Sequence, residues 1–425
     1  MVAQGPRHTI RQVVGVLALA VAVTAFLSVA AVRHGFFDLQ VYYGALNWWV
    51  HDGGEIYDYL KPGTQYGFTY PPFAALVMVP MAYLPWTVAI IVSVSASVVT
   101  TTLLIWWLID PIARRAGWTR WFALAVTLCL AAAFEPMRET VNFGQVNTLL
   151  LFLVAVDLLR LLPTGNRWAG VGIGLATAIK LTPGIFIVYL LVTGRWRAAL
   201  TASGTAAGVT LLAGALFPNA SREFWTEALW NTGRVGELAF VSNQSLRGVV
   251  ARLDPQHPST LLWLLLVLAT LALWAWRSRA AVAAGDEATG LALTGAVMCL
   301  VGPVTWVHHL VWLLPALILL VDNAMAAPAG RRRRVLLAAA TIGYALLISR
   351  TVWFWEKDFT GVDGFLGSNA YVWISLALLA FLPIRRWLTP PGSAVEASGV
   401  PQLDQPDRPT PTGERHLIGR LLTVR

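Results

Sequence analysis

Long uncharged runs separated by short polar segments organise this chain. Residues 12–32 form 21 uncharged positions between Arg11 and Arg33, enough for one helix across a ~30 Å hydrocarbon core. A cleaved signal peptide is the competing reading; the run is longer than a usual signal core, and many further spans follow it. Comparable runs cover 86–109, 119–134, 145–162, 198–217, 258–276, 288–304, 306–322, 335–350 and 370–384. Two pieces are interrupted, 72–84 by Pro80 and 168–193 at Lys180-Leu181-Thr182-Pro183-Gly184. Either half of the second is too short to cross alone, so it is a hairpin or one kinked span. The pattern predicts an all-α polytopic membrane protein with roughly 10–13 transmembrane helices. One further helix is predicted after the first span. There Val41, Ala45, Trp48 and Trp49 recur at helical spacing, as in an amphipathic helix lying in the interface.

Composition agrees: 57% of the 425 residues are hydrophobic, 12% are charged, and mean hydropathy is +0.63. A soluble domain carries about 25% charged residues. The net charge of +9 raises the question of nucleic acid, but the arginines lie in short loops between spans, which is a sign of membrane orientation. With both termini cytoplasmic and 168–193 returning to its own side, Arg114, Arg115, Arg120, Arg160, Arg167, Arg195, Arg197, Arg277, Arg279, Arg331–Arg334 and Arg385–Arg386 fall inside. The outer (periplasmic) segments are then 33–71, 135–144, 218–257, 303–309 and 350–369, rich in Trp, Tyr, Asn, Gln, His and acids. The chain divides into a membrane domain, 1–388, and a polar tail, 389–425, whose Pro, Gly, Ser and charge predict a disordered cytoplasmic extension. Cys129 and Cys299 lie in apolar runs and set no disulfide or zinc framework.

Polar residues at the membrane edge are the candidates for chemistry, because charge there is costly. Asp38 opens the amphipathic helix. It reads either as a helix-start partner or as a general base taking a proton from a sugar hydroxyl. Tyr70, in Phe68-Thr69-Tyr70-Pro71-Pro72, lines the same face, while the prolines start a helix. Arg138 suits a phosphate. Asn142, Gln145 and Asn147 need a wet cavity or a neighbouring helix. Lys180, one of three lysines, interrupts an apolar run and either snorkels, pairs with an acid or meets a lipid phosphate. Asn243, Gln244 and Arg247 suit sugar hydroxyls and phosphate, or simply start a helix. Trp306, His308 and His309 close the set. Adjacent helical residues diverge by about 100°, so one histidine at most points into a shared site, where it could orient Asp38. No metal motif is visible, and neither metal nor cofactor is expected.

In this order, Asp38, Phe68-Thr69-Tyr70-Pro71-Pro72-Phe73, Gly144-Gln145-Val146-Asn147, Lys180-Leu181-Thr182-Pro183, Asn243-Gln244-Ser245 and Trp306-Val307-His308-His309 resemble the actinobacterial membrane glycosyltransferases of the GT-C superfamily, family 87. The likeness covers about 35–385. It implies a GT-C fold in which an amphipathic outer helix roofs the site, with Asp38 as catalytic base and its histidine partner among His308 and His309. It implies inverting transfer of mannose from polyprenyl-phosphate-mannose to the 2-hydroxyl of a mannose on a phosphatidylinositol mannoside, lipomannan or lipoarabinomannan. Lys180, Arg138 and Arg247 are the candidates for the departing phosphate, since that group leaves charged and needs cations. An arabinofuranosyltransferase shares the skeleton. A flippase or transporter is the alternative of another class, but no internal repeat is found and the polar motifs gather on one face. A structural envelope subunit would leave Asp38 and the histidines idle.

Overall fold

A computed structural model describes residues 6–30, 32–231 and 236–385; the predicted tail and Arg386 lie outside the described residues. Among the described residues the fold is helical, with a single isolated bridge between Leu60 and Gly67. The apolar runs become α1 (Pro6–Ala30), α4 (Trp86–Ala116), α5 (Arg120–Ala133), α7 (Asn147–Val156), α8 (Val171–Ile179), α9 (Ile185–Val192), α10 (Trp196–Leu216), α13 (Thr260–Ala283), α14 (Glu287–Val301), α15 (Leu314–Ala326), α16 (Arg331–Ile348) and α18 (Ala370–Phe381). Between them lie the shorter α2 (Phe37–Val50), α3 (Pro72–Met78), α6 (Glu135–Phe143), α11 (Pro218–Glu223), α12 (Leu246–Leu253) and α17 (Gly361–Ser368).

Every predicted span has its helix, but several are broken. Five helices are long and apolar enough to cross a membrane, seven if the bent pairs α5–α6 and α17–α18 each count once. The bends are 71° and 60°. Phe134 separates α5 from α6, which has Pro136 in its first turn, and Asn369 turns the chain between α17 and α18. The 168–193 run is two short helices about a break: α8 ends at Ile179, Lys180 is extended (φ −149°), and Pro183 lies in a short 3₁₀ turn that leads into α9. Proline lacks the N–H that would continue α8, so the break is written in the sequence.

The core is built around α14, where Thr289–Leu300 are buried without interruption, so this helix is interior on all sides. By contrast the apolar window of α1 has none of its residues buried, and its side chains face outward for most of its length. Packing of α8 is close because it carries glycines. A Cβ on Gly172 would meet the Leu153 carbonyl oxygen at 2.3 Å, and one on Gly174 the Ala202 carbonyl oxygen at 2.5 Å. Small residues that let backbones approach are a common substitute for hydrophobic driving force in lipid.

Arginines from the basic loops are tied down by acids. Asp322 on α15 takes Arg115 at 2.8 Å and Arg385 at 2.6 Å. Asp110 on α4 holds Arg114 at 2.8 Å and also Arg120. Arg277 donates to the carbonyls of Leu379 and Leu382, and Arg385 N–H to Asp286. This region closes α4, α15 and the end of α18 on one another.

Candidate active site

The segment leading into α2 sets the position of Asp38. Gly35 and Phe36 both have positive φ, 62° and 59°. For phenylalanine that conformation is strained and persists only where contacts over-determine it. Those contacts come from α6: the Phe36 N–H donates to the Asn142 carbonyl at 2.9 Å, and the Asn142 amide donates to the Val32 carbonyl at 3.2 Å. Asp38 therefore falls in the first turn of α2 without being its N-cap, near the positive end of the helix dipole. Gly144 brings the second element in. It ends α6 at φ 71°, and a Cβ there would lie 2.5 Å from Leu39 Cβ. Only glycine lets α2 sit on this turn, which places the next residue, Gln145, against Asp38.

One ordered hydrogen-bond chain follows. Tyr42 donates to the Tyr70 hydroxyl (2.9 Å), Tyr70 to Gln145 Oε1 (2.8 Å), and Gln145 Nε2 to Asp38 Oδ2 (2.6 Å). Burial pushes both phenols up from their usual value, so they remain donors. Burial also pushes the Asp38 carboxyl up to about 6, against the opposing donation from Gln145 and the charges of Lys180 and His34.

Lys180 enters from the α8–α9 break. Its Nζ lies 3.4 Å from the Tyr70 hydroxyl, 3.4 Å from Asn147 Oδ1 and 2.9 Å from His309 Nε2, and 5.1 Å from the Tyr70 ring centre. His309 Nδ1 accepts the Trp306 N–H at 3.1 Å, so in the neutral ring the proton sits on Nε2, facing the lysine. Two donors cannot bond to each other, so this contact lacks an acceptor. An oxyanion arriving here supplies the missing acceptor.

The two histidine rings meet edge to face (4.4 Å) but take different partners: His309 meets Lys180, while His308 packs on the Phe143 ring (5.3 Å) with Nε2 buried and without a hydrogen-bond partner. The His308 carbonyl accepts from Thr140 and Asn147. The hydrogen-bond partner of Asp38 is Gln145, and neither histidine bonds to it. Lys180, which the sequence left apart from the outer constellations, stands in the network with Tyr70, Asn147 and His309.

Other candidates lie elsewhere. Arg138 donates to the Ile348 carbonyl at 3.0 Å and stacks on Phe26 of α1 at 5.1 Å. Arg247 faces Trp263 and Thr260 of α13. Asn243 and Gln244 are fully buried. Asn243 accepts from Thr305 N–H and donates to the Leu238 carbonyl, and Gln244 donates to the Val241 and Ser368 carbonyls. They knit the loop before α12, whose N-cap is Ser245. Trp306 reaches the site through its backbone, and Asn142 holds the entry to α2. Sequence reasoning missed Tyr42, whose only signal was a hydroxyl four residues along the helix from Asp38.

A mostly apolar cleft of about 220 Å³ opens beside Gln145 and Tyr42 and is lined by Met78, Met81, Val92 and Ser97. Val92 and the neighbouring Ile91 are exposed on the outside of α4, so the cleft connects the polar network with the lipid-facing surface. Among the described residues, no three His, Cys, Asp or Glu side chains gather as a metal site.

A helical membrane fold with a buried carboxylate and a lysine joined by one polar network defines a membrane-embedded enzyme. Comparison with known proteins gives its class. The model of glycosyltransferase family 87 matches residues 68–303. The chain is 31% identical to a polyprenol-phosphate-mannose-dependent α-(1-2)-phosphatidylinositol mannoside mannosyltransferase of Mycolicibacterium smegmatis, over 89% of each chain. It is also 31% identical to that organism's α-(1-2)-phosphatidylinositol pentamannoside mannosyltransferase, over 70% of this chain and 72% of the other. An α-(1→3)-arabinofuranosyltransferase of Corynebacterium glutamicum is more distant, 26% identical over 57% of this chain and 56% of its own. No solved structure matches. The chain belongs to glycosyltransferase family 87, and it is a glycosyltransferase.

Proposed function

We propose that this enzyme moves mannose from polyprenyl-phosphate-mannose to the 2-hydroxyl of a mannose on a phosphatidylinositol-mannoside-type glycolipid, with inversion, at the outer face of the plasma membrane. The observation that carries the reading is the network itself: a carboxylate, Asp38, and a lysine, Lys180, are joined through Gln145 and Tyr70 with no ion pair between them. Asp38 takes the proton of the acceptor hydroxyl as its oxygen attacks C1. The C1–O bond to phosphate breaks, and its electron pair stays on the phosphate oxygen. That charge meets Lys180 and the Nε2 side of His309, where an acceptor was lacking. No general acid is needed, because the polyprenyl phosphate monoester departs as a stable anion.

The apolar cleft supports the donor assignment. In a polyprenyl-phosphate sugar the reacting carbon is one phosphate away from the isoprenoid tail. In a mannosylated phosphatidylinositol, sugar rings separate the acyl chains from the reacting hydroxyl. A cleft that runs from lipid directly to the network fits the first geometry. The pairing of the basic-loop arginines away from Asp38 supports cytoplasmic termini and an outer-facing site.

The names of the mannosyltransferase relatives favour mannose, and the more distant arabinofuranosyltransferase leaves decaprenyl-phosphoryl arabinose as the donor to test against it. Purified enzyme in vesicles should transfer from polyprenyl-phosphate-mannose, produce a 2-linked α-mannoside, and ignore the arabinose donor. Transfer of arabinose alone overturns the sugar assignment. Glycolipid profiling of a deletion strain separates lost phosphatidylinositol mannosides from lost 2-linked branches of lipomannan.

A further inference from the structure

One ionic cluster beside the site is not used by the mechanism. Glu139 on α6 is nearly inaccessible, its side chain 4% exposed, yet it carries two partners. Arg350 Nη1 lies 3.0 Å from Oε1, and His34 Nε2 lies 2.7 Å from Oε2. The His34 contact is an off-axis ion pair rather than an aligned hydrogen bond, because Nε2 has no hydrogen-bond partner. The ring lies flat on Phe143 (centroids 4.1 Å apart, 17° between planes), and Phe143 in turn meets His308. His34 sits in the same short segment whose ends are pinned by Asn142, four residues before Asp38.

We infer that the Glu139–His34 pair is a positioning device for the base: it anchors the segment that presents Asp38 and fixes the His34 imidazole in that segment, four residues before the carboxylate. The inference rests on the reading of Asp38 as base. Its logic is electrostatic as well as mechanical. A carboxylate that burial drives towards its neutral form is useless as a base unless something favours its charge. Gln145 supplies one hydrogen bond, Lys180 acts in the same direction, and His34 adds a smaller contribution. The His34 side chain is 22% exposed. Glu139 faces the ring across 2.7 Å, and Arg350 faces Glu139 across 3.0 Å. The other titratable and charged groups facing this corner are Glu135, which shares Arg350 at 3.7 Å, and Arg138, both on α6; Lys180 from the α8–α9 break; His308 from the turn after α14; Tyr42 and Tyr70; and Lys61, which lies over the Phe37 ring at 4.8 Å.

The test is the pH profile of kcat/KM for full-length His34→Gln in vesicles. Loss of the nearby positive charge makes Asp38 harder to ionise, so the acid limb moves to higher pH, by up to about one unit, with the donor KM at high pH unchanged. His34→Lys, which restores a cation, should bring the limb back. Glu139→Gln should shift the limb in the same direction as His34→Gln, and the double variant should add little. Because Glu139 also holds Arg350, its variant is scored only if it matches the parent in thermal unfolding; the His34 variants decide the matter alone. Asp38→Glu is the reference. If its limb moves while that of His34→Gln stays, this inference is overturned and the base assignment survives. If neither moves, the base assignment fails. A uniform loss of rate in His34→Gln without a shifted limb makes His34 a structural anchor only, and likewise overturns the proposal.

Discussion

Two charged regions of this molecule use similar residues in opposite ways. Around Asp322, each arginine meets a carboxylate or a backbone carbonyl directly: Arg115, Arg385 and Arg277 are all closed off by partners from other helices. Around Asp38, the carboxylate meets an amide and the lysine meets a phenol, an amide and an imidazole. The first arrangement is satisfied and needs no ligand. The second gives neither Asp38 nor Lys180 a directly bonded counter-charge, which on the proposed reading leaves them for a hydroxyl proton and a phosphate. Buried ion pairs fix structure at small net gain, whereas charges held apart in a polar network are primed for chemistry.

The contrast is broken most severely at Asp38. Asp38→Asn removes the base while keeping shape and the option of a hydrogen bond with Gln145. Transfer should fall by about 10²–10⁴-fold, the usual worth of a positioned base, with membrane insertion and thermal unfolding unchanged. Retained activity in a radiolabelled-mannose transfer assay sinks the assignment. Lys180→Ala comes next. It removes the cation that receives the leaving phosphate, and transfer should drop by about 10²–10³-fold, with a raised requirement for donor and an unchanged KM for acceptor. An unaltered donor dependence would assign Lys180 to structure instead.

How much of this was legible in the chain depended on where each residue sat. Asp38, Gln145, Asn147, Lys180 and His309 stand in or beside apolar runs, where an unpaired polar group is costly and therefore conspicuous. The break at Lys180 was equally readable, because Pro183 cannot extend α8. Asn243 and Gln244 looked the same on the page as Gln145, yet they bond to backbone groups of their own loop, of the turn after α14 and of α17. Nothing in a sequence distinguishes an amide that satisfies backbone from one that faces a cavity. Arg138 and Arg247 failed for a related reason, since aromatic partners in α1 and α13 are set by packing alone. His34 and Glu139 were invisible for the opposite reason: they lie in polar segments where charge is ordinary. The helices were legible as runs, but the bends that join α5 to α6 and α17 to α18 were not, since bending depends on what each half packs against.

A gentler probe of the network is Gln145→Met, which keeps volume and removes the amide. Gln145 Nε2 donates to the charged form of Asp38, so its loss favours the neutral acid. In the parent, a carboxyl near 6 is ionised and active above that pH and protonated and idle below it. The acid limb of kcat/KM should therefore lie near pH 6 and move upward in Gln145→Met, with a fall of about twofold at pH 7 and nearly tenfold at pH 5 if the shift is about one unit. A limb that moves to lower pH would mean that Gln145 supports the neutral acid.

The smallest effect on chemistry, and the sharpest control, belongs to the other region. Asp322→Ala strips two arginines of their shared partner and leaves Arg115 exposed and Arg385 half-buried between α4, α15 and the segment after α18. With solvent screening one of the two charges, the loss is about 1 kcal/mol, which should slightly lower the midpoint of thermal unfolding in detergent and the yield of folded protein. Transfer per folded molecule, and the pH at which it declines, should stay as in the parent, because no contact of Asp322 reaches α2, Gln145 or Lys180. A variant that lost activity while remaining as stable as the parent would show that the two regions are coupled, and the division drawn between satisfied and withheld charge would fail.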